Sequence, residues 1–221
     1  MEALLDAVEV RVLGALIEKE ITMPEHYPLT LNGLTTACNQ KSNRHPVVAF
    51  DEKTTVRALE SLRDKGLARQ RSGAEMRVPK HYHLFGEKLA LERPQVAALC
   101  VLMLRGPQTV GEIRGRSGRL HEFSDLEEVE RVLDELAQRA EEALVVQLPR
   151  QPGRKESRYA HLLMGEPEVG GEESEGPVDA AALEVRAENE RIATLEEQVQ
   201  FLTLELVELR EAFARFKEQF E

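Results

Sequence analysis

The chain of 221 residues predicts a mainly helical protein of the α+β class, in which helices are combined with small β-hairpins. Three observations predict this class: a pattern that occurs twice between positions 1 and 165, a stretch rich in Gly, Pro and Glu that follows it, and an apolar heptad pattern near the C-terminus. A hydrophobic content of 42% is enough for real cores and too high for a fully disordered chain.

Three sequence features recur in the same order between positions 1 and 165. A Pro-x-Thr-apolar pattern begins at Pro28 and again at Pro107, and an Asp that precedes an apolar helical face stands at Asp51 and again at Asp125. The apolar face of the first predicted helix also recurs, as Val10, Leu13, Leu16 and Ile17 in one copy and Val96, Leu99, Leu102 and Met103 in the other. Repetition in one order indicates that a single supersecondary unit is used twice.

Each copy predicts three helices followed by two strands. Thr30 or Thr109 stands where the N-cap of a short second helix is expected, and Asp51 or Asp125 stands where the third helix should begin. In the first copy the third helix is predicted to end at Gly66. The strand-like runs are 67–71 and 77–85 in the first copy, and 144–148 and 157–163 in the second. Three helices followed by a β-hairpin are typical of a winged helix, so the sequence predicts two tandem winged-helix domains, over 1–86 and 87–164.

The last quarter of the chain predicts an acidic linker over 165–178 and a coiled-coil helix over 179–221. The linker is almost without apolar residues, so it cannot offset the entropy of ordering. Beyond it, apolar residues alternate at steps of three and four, with no Gly or Pro between them. This seam consists of Ile192, Leu195, Val199, Leu202, Leu206, Leu209, Phe213, Phe216 and Phe220. We expect it to form a homodimer with a second copy. Packing on the chain's own domains and a trimer are the alternatives.

The formal net charge of −11 belongs to the end of the chain. Residues 1–85 carry 12 basic and 11 acidic side chains, residues 86–165 carry 12 and 13, and residues 166–221 carry 5 and 16. The region of the repeat is therefore electrically balanced. Its net charge argues neither for nor against binding to a polyanion.

The segments LDAVEVRVLGALIEKE, YPLTLNGLTTACNQKSNRHPV and DEKTTVRALESLRDKGL resemble the YceH family of uncharacterised bacterial proteins. The resemblance covers about residues 4–165, and CNQKSNRHP is its most specific part. His45 departs from the acidic residue expected at that position, which makes the local charge more basic. The resemblance implies tandem winged helices and brings no catalytic or ligand-binding residue with it.

The leading functional hypothesis is a protein that binds double-stranded DNA, as a transcriptional regulator does, through the first winged helix. The third helix of a winged helix commonly enters the major groove while the hairpin contacts the backbone. Arg and Lys side chains can neutralise phosphates, and Arg or Asn can read base edges. The candidate DNA-binding residues are Lys41, Asn43, Arg44, Lys53, Arg57, Ser61, Arg69, Arg71, Arg77 and Lys80. An ordinary solvated surface is the alternative, favoured by Glu52, Glu60 and Asp64 on the same helix.

The second copy is a weaker candidate for DNA because its third helix carries five acidic residues around Arg131. Its hairpin arginines are the part expected to reach a backbone. A second function class is a non-enzymatic adaptor for protein partners, since fold does not fix function. The two classes differ in salt dependence, because phosphate contacts weaken steeply as salt is added.

No enzyme signature emerges, and no cofactor or metal is predicted. His81 and His83 stand two residues apart and could bind a metal, but no nearby Cys or carboxylate cluster completes such a site. Surface histidines are the preferred interpretation. Cys38 and Cys100 are predicted to be reduced, structural thiols, although a disulfide between them stays open.

The first ten residues lack the basic and then apolar pattern of a secretory signal. The longest apolar run spans 96–104, whereas a membrane span needs about 20 residues. We therefore expect a soluble, cytoplasmic protein with no membrane partner.

Overall fold

The computed structural model describes residues 4–72, 78–150 and 156–167, together with residues 195, 198, 199, 201–203 and 206. The residues described between 4 and 167 form seven α-helices, one 3-10 helix and two small antiparallel sheets. The predicted α+β class is confirmed.

The first unit is a bundle of three helices followed by a hairpin. Its helices are α1 (Ala7–Thr22), α2 (Leu31–Cys38) and α3 (Glu52–Asp64), with a 3-10 helix at Pro24–His26. Its strands are β1 (Leu29–Thr30), β2 (Ala68–Arg71) and β3 (Lys80–His83), and a short helix α4 (Phe85–Lys88) follows. The strands form one antiparallel sheet in the order β1-β3-β2, which lies beside α1.

Side-chain caps explain where these helices begin. The Oγ1 atom of Thr30 accepts a hydrogen bond from Gly33 N at 3.2 Å, and Oδ1 of Asp51 accepts one from Thr54 N at 2.8 Å. After α3, Gly66 adopts a φ of +67°, in the left-handed region that favours glycine. All three signals are confirmed.

The second unit repeats this order with α5 (Arg93–Arg105), α6 (Val110–Ser117), α7 (Leu126–Ala137), β4 (Val145–Gln147) and β5 (Tyr159–His161). Thr109 and Asp125 cap α6 and α7, as predicted. A single bridge between Gln108 and Tyr159 occupies the place that β1 holds in the first unit. The strands are shorter than predicted, and α4 was missed because its four residues carry no helical period.

The two units pack against each other through α1 and α5. A Cβ atom on Gly14 would lie 2.9 Å from Cδ2 of Leu104, so the absence of a side chain at this position permits the approach. The thiol of Cys100 donates to the carbonyl oxygen of Gly14 at 3.5 Å. Because α1 packs on its own unit and on α5, residues on all its sides are buried between Glu9 and Lys19.

Most of the predicted linker and coiled-coil helix lies outside the described residues. Those that the structure describes between 195 and 206 are helical. In the described part of the chain, no helix combines the length and the apolar character that crossing a membrane requires.

Candidate nucleic-acid interface

The outward face of α3 presents two cations in its first half and two carboxylates in its second. Thr55, Ala58, Leu59 and Leu62 are buried against the unit. At about 100° per residue, the opposite side of the helix carries Lys53, Arg57, Glu60 and Asp64, all exposed. The cations in the N-terminal half of this face can therefore bind an anion, whereas the carboxylates in its C-terminal half repel one.

Ser61 lies on the flank of α3 that faces α1. It is half-buried, and its hydroxyl hydrogen-bonds the Glu9 carboxylate, which also accepts from Nζ of Lys65 at 2.6 Å. Burial raises the pKa of Glu9, but the hydrogen bonds from Lys65 and Ser61 outweigh it, so the pKa lies below its usual value. Ser61 therefore serves an internal contact.

The hairpin carries three cations among the described residues. Arg69 and Arg71 are exposed on β2, and Lys80 is half-buried on β3. Arg71 and Lys80 are directly paired across the two strands. Like charges placed opposite each other destabilise an antiparallel pair, and a bound anion would relieve this repulsion. Arg77 lies outside the described residues.

Arg44 and Asn43 both make internal contacts, Arg44 within the first unit and Asn43 with the second. Arg44 is only 6% exposed, and its Nη2 lies 2.6 Å from Oε2 of Glu18 on α1. Its guanidinium also donates to the carbonyl oxygen of Ala37. Asn43 adopts a φ of +56°, and its side-chain oxygen accepts from Arg105 of α5. The prediction that Arg44 faces DNA is wrong because the side chain is buried and neutralised, and Asn43 is likewise bound internally. Lys41 is exposed.

Further contacts make residues 43–46 a clamp between the units. The amide of His45 donates to the carbonyl oxygen of Leu104 at 2.8 Å, and Arg11 donates to the carbonyl oxygen of Pro46 at 2.7 Å. Burial raises the pKa of Glu18, but Arg44 and Lys19 more than reverse the effect and lower it to about 2. Burial lowers the pKa of Lys19 to about 8. Sequence reasoning missed this cluster, although charged residues on a helix with apolar residues on all sides were a signal for it.

The histidines of β3 are buried, so the interpretation as surface residues is wrong. Nε2 of His83 lies 2.9 Å from Oε2 of Glu20, and the amide of His83 donates to the hydroxyl of Tyr27 at 2.8 Å. His81 lies on the same face of the strand, also buried. Among the described residues, no three or more potential metal ligands lie together.

Both cysteines are free and buried, which confirms the predicted structural thiols. Burial raises the pKa of Cys38 to about 12, and it raises the pKa of Cys100 as well. A thiol held protonated in this way is a poor nucleophile.

An open groove of about 440 Å³ separates α3 from the hairpin. Its walls include Val56 of α3, Leu31 of α2 and Val78 before β3, and Glu52 and Glu60 stand at its rim. The groove is more apolar than the cationic surface on the outward side of α3.

The second unit places a different surface at the equivalent position. Glu127 stands on α7 where Lys53 stands on α3, and Arg131 corresponds to Arg57. Two of its other arginines make internal contacts: Arg114 donates to the carbonyl oxygen of Ser124, and Arg158 donates to that of Pro107. Arg150 is exposed, and Arg154 lies outside the described residues. The cationic candidate surface therefore belongs to the first unit.

Four residues of the predicted coiled-coil seam are exposed, by 47–64%: Leu195, Val199, Leu202 and Leu206. Phe201, which is not part of the seam, is buried against the first unit. The remaining seam positions, Ile192, Leu209, Phe213, Phe216 and Phe220, lie outside the described residues.

Comparison with known proteins yields one family. A family model described as "Protein of unknown function, DUF480" matches residues 5–154. The UPF0502 proteins of Geobacter metallireducens and Geotalea uraniireducens are each 58% identical to this chain over 221 residues, which is the full length of both chains in each case. The UPF0502 protein of Solibacter usitatus is 52% identical over the same span.

Proposed function

The chain belongs to the DUF480 family of proteins of unknown function, and from the surface of its first unit we propose that it binds double-stranded DNA as a transcriptional regulator. We propose further that each unit is a winged helix, as the resemblance to the YceH family implies. The order of three helices and a β-hairpin, which occurs twice, supports this architecture.

The observation that carries the DNA proposal is the cationic surface formed by the start of α3 and by β2. Lys53 and Arg57 project from the helix, and Arg69 and Arg71 project from the strand. Among the described residues, none forms an ion pair with any of these four. In a winged helix the third helix enters the major groove and the hairpin follows the backbone, so the positions of these cations suit base and phosphate contacts respectively.

The binding surface in this proposal is smaller than the sequence alone suggests. Arg44 and Asn43 belong to the clamp, and Ser61 contacts Glu9. Lys41 and Lys80 remain candidates for backbone contacts.

Charge reversal tests the proposal with a matched control. Arg57→Glu should weaken binding to a short duplex about tenfold at low salt, and it should reduce the salt slope by about one unit. Arg131→Glu is the control, because Arg131 is exposed at the equivalent position of the second unit. Retention of wild type, Arg57→Glu and Arg131→Glu on a random duplex pool at increasing salt supplies the measurement. Sequencing of the retained duplexes then identifies any preferred motif.

Two outcomes would overturn the DNA proposal. One is a wild-type protein that the duplex fails to retain at low salt. The other is an Arg57→Glu variant that binds as the wild type does.

A protein-interaction adaptor is the second candidate function, favoured by the groove between α3 and the hairpin. Val56 and Val78 line the groove, and Val78 is exposed. A partner segment held by apolar contacts would stay bound at salt concentrations that release duplex DNA. Both candidates are non-enzymatic.

We propose that the working form is a homodimer assembled through the C-terminal helix. The exposure of four seam residues in a single chain supports this assembly. Two DNA-binding surfaces joined in one particle bind a duplex more tightly than one.

A further inference from the structure

We infer that the C-terminal helix has two functional faces: one docks on the first unit through Phe201, and the other pairs in parallel with the same helix of a second copy. The helix can therefore pack on the body of its own chain and pair with a second chain at the same time. The inference rests on the homodimer proposed above, goes beyond DNA binding and does not depend on it.

The docking face is centred on Phe201. Its ring lies 4.9 Å from the His26 ring, at an interplanar angle of 53°. Gly33 of α2 lies close to this ring: a Cβ atom at Gly33 would be 3.4 Å from Cε2 of Phe201. Phe201 is only 7% exposed, whereas the neighbouring Leu202 is 53% exposed. Phe201 and Leu202 are adjacent in the chain but thus lie on different faces of the helix.

The second face is the seam itself. With Ile192 at heptad position a, Val199 and Leu206 are a residues and Leu195 and Leu202 are d residues. Phe201 then falls at position c, about 130° from the centre of the seam at 100° per residue. Docking by Phe201 consequently leaves the a and d residues exposed to solvent. A row of four large apolar side chains is an unusual surface for a monomer.

The spacing and the charges of the helix favour a second copy as the occupant. A strict a/d repeat packs best against a helix with the same repeat. In a parallel pair, each g position faces the e position five residues later in the other helix. The sequence places Arg191 and Glu205 at g, with Glu196 and Arg210 at the matching e positions. Both pairs unite opposite charges. In an antiparallel pair g faces g, and full overlap brings Glu205 beside its own copy.

Two neighbouring substitutions test the two faces separately. We expect the wild type to have twice the mass of the 24.9 kDa chain in light scattering. Leu202→Lys should halve this mass and leave the NMR signal of the His26 ring unchanged. Phe201→Ala should keep the dimer and shift the His26 signal, because the ring current of Phe201 is lost. Val199→Lys, at a residue 64% exposed, is a second seam variant that leaves the body intact.

The orientation is tested with a single new thiol. Leu195→Cys should form a disulfide-linked dimer under mild oxidation, because equivalent d residues meet in a parallel pair. In an antiparallel pair with full overlap the two thiols would be roughly 30 Å apart. The native Cys38 and Cys100 are buried, and the matched control is Leu195→Ser.

The inference is overturned by a monomeric wild type, by an unchanged mass in both Leu202→Lys and Val199→Lys, or by a Phe201→Ala variant with an unshifted His26 signal. Absence of the cross-link in Leu195→Cys overturns the parallel orientation. None of these results depends on DNA, so failure here is distinguishable from failure of the DNA proposal.

Discussion

Arg44 and Lys41 stand three residues apart in the segment that follows α2, yet their environments are opposite. Lys41 is solvated, whereas Arg44 is buried and held by Glu18 and by the carbonyl oxygen of Ala37. Removing one partner of a buried ion pair leaves the other charge uncompensated in a medium of low dielectric. Arg44 therefore fixes the segment after α2 to α1 and α2 of its own unit.

Arg44→Met should destabilise the protein by about 3 kcal/mol, because it removes the cation at 2.6 Å from the buried Glu18 carboxylate and leaves Lys19 at 3.8 Å. Urea unfolding at neutral pH measures this loss. Lys41→Met is the matched control, and its effect should stay within about 0.5 kcal/mol because Lys41 is exposed.

The deficit of Arg44→Met should also depend on pH in a defined direction. The pKa of Glu18 in the folded protein is about 2, below its ordinary value, so its contribution is complete above about pH 4.5. As the pH falls from about 4.5 towards 2 that contribution is lost. The urea unfolding curves of Arg44→Met and of the wild type should therefore converge. Equal midpoints for Arg44→Met and Lys41→Met at neutral pH would contradict the assignment.

At the scale of elements, the turn between α3 and the hairpin determines how the two parts meet. Gly66 ends α3 with a positive φ, and the amide of Leu67 then donates to the carbonyl oxygen of Leu62 at 2.8 Å. A Cβ atom on Gly66 would lie 3.0 Å from Nζ of Lys88. Because this Nζ atom ends a flexible, exposed side chain that can move, it is the backbone conformation that disfavours a side chain at this position.

Gly66→Ala should cost about 1–2 kcal/mol, because alanine is strained in the left-handed region. Gly115→Ala in α6 is the control: a Cβ atom there meets nothing within 4 Å, so this change should stabilise by about 0.5–1 kcal/mol. Thermal unfolding of the two variants compares them directly. A neutral or stabilising effect at Gly66 would show that the turn is not held in this conformation.

The sequence predicted these elements well where the determinants are local. Thr30, Asp51 and Gly66 could be recognised because a cap or a positive φ depends on a few neighbouring residues. It failed for Arg44 and His83, whose partners Glu18 and Glu20 are distant in the chain. Most of the candidate surface, including Lys53 and Arg57, followed from helical period, whereas the clamp required knowledge of how the two units pack.

At the scale of the whole molecule, the negative net charge lies at the end of the chain, whereas the body is electrically balanced. The described body contains the cationic surface of the first unit, and residues 166–221 contain 16 of the 40 acidic side chains. If the protein binds DNA as proposed, a tail of this charge should compete with the duplex for the cationic surface.

Truncation after residue 179 should convert the proposed dimer into a monomer with an intact body. Light scattering should give one chain mass, and circular dichroism should retain the helices of both units. Affinity for duplex DNA should fall because the second binding surface is lost from the particle. A truncated protein that remains a dimer and keeps the affinity of the full chain would show that self-association takes place through the body.

The packing of α1 against α5 has a consequence for synthesis on the ribosome. Helix α1 leaves the exit tunnel well before α5, which begins at Arg93 and covers one face of α1. Until that helix emerges, the nascent first unit exposes part of its apolar surface. We therefore expect nascent chains arrested before Arg105 to bind chaperones more than longer ones do.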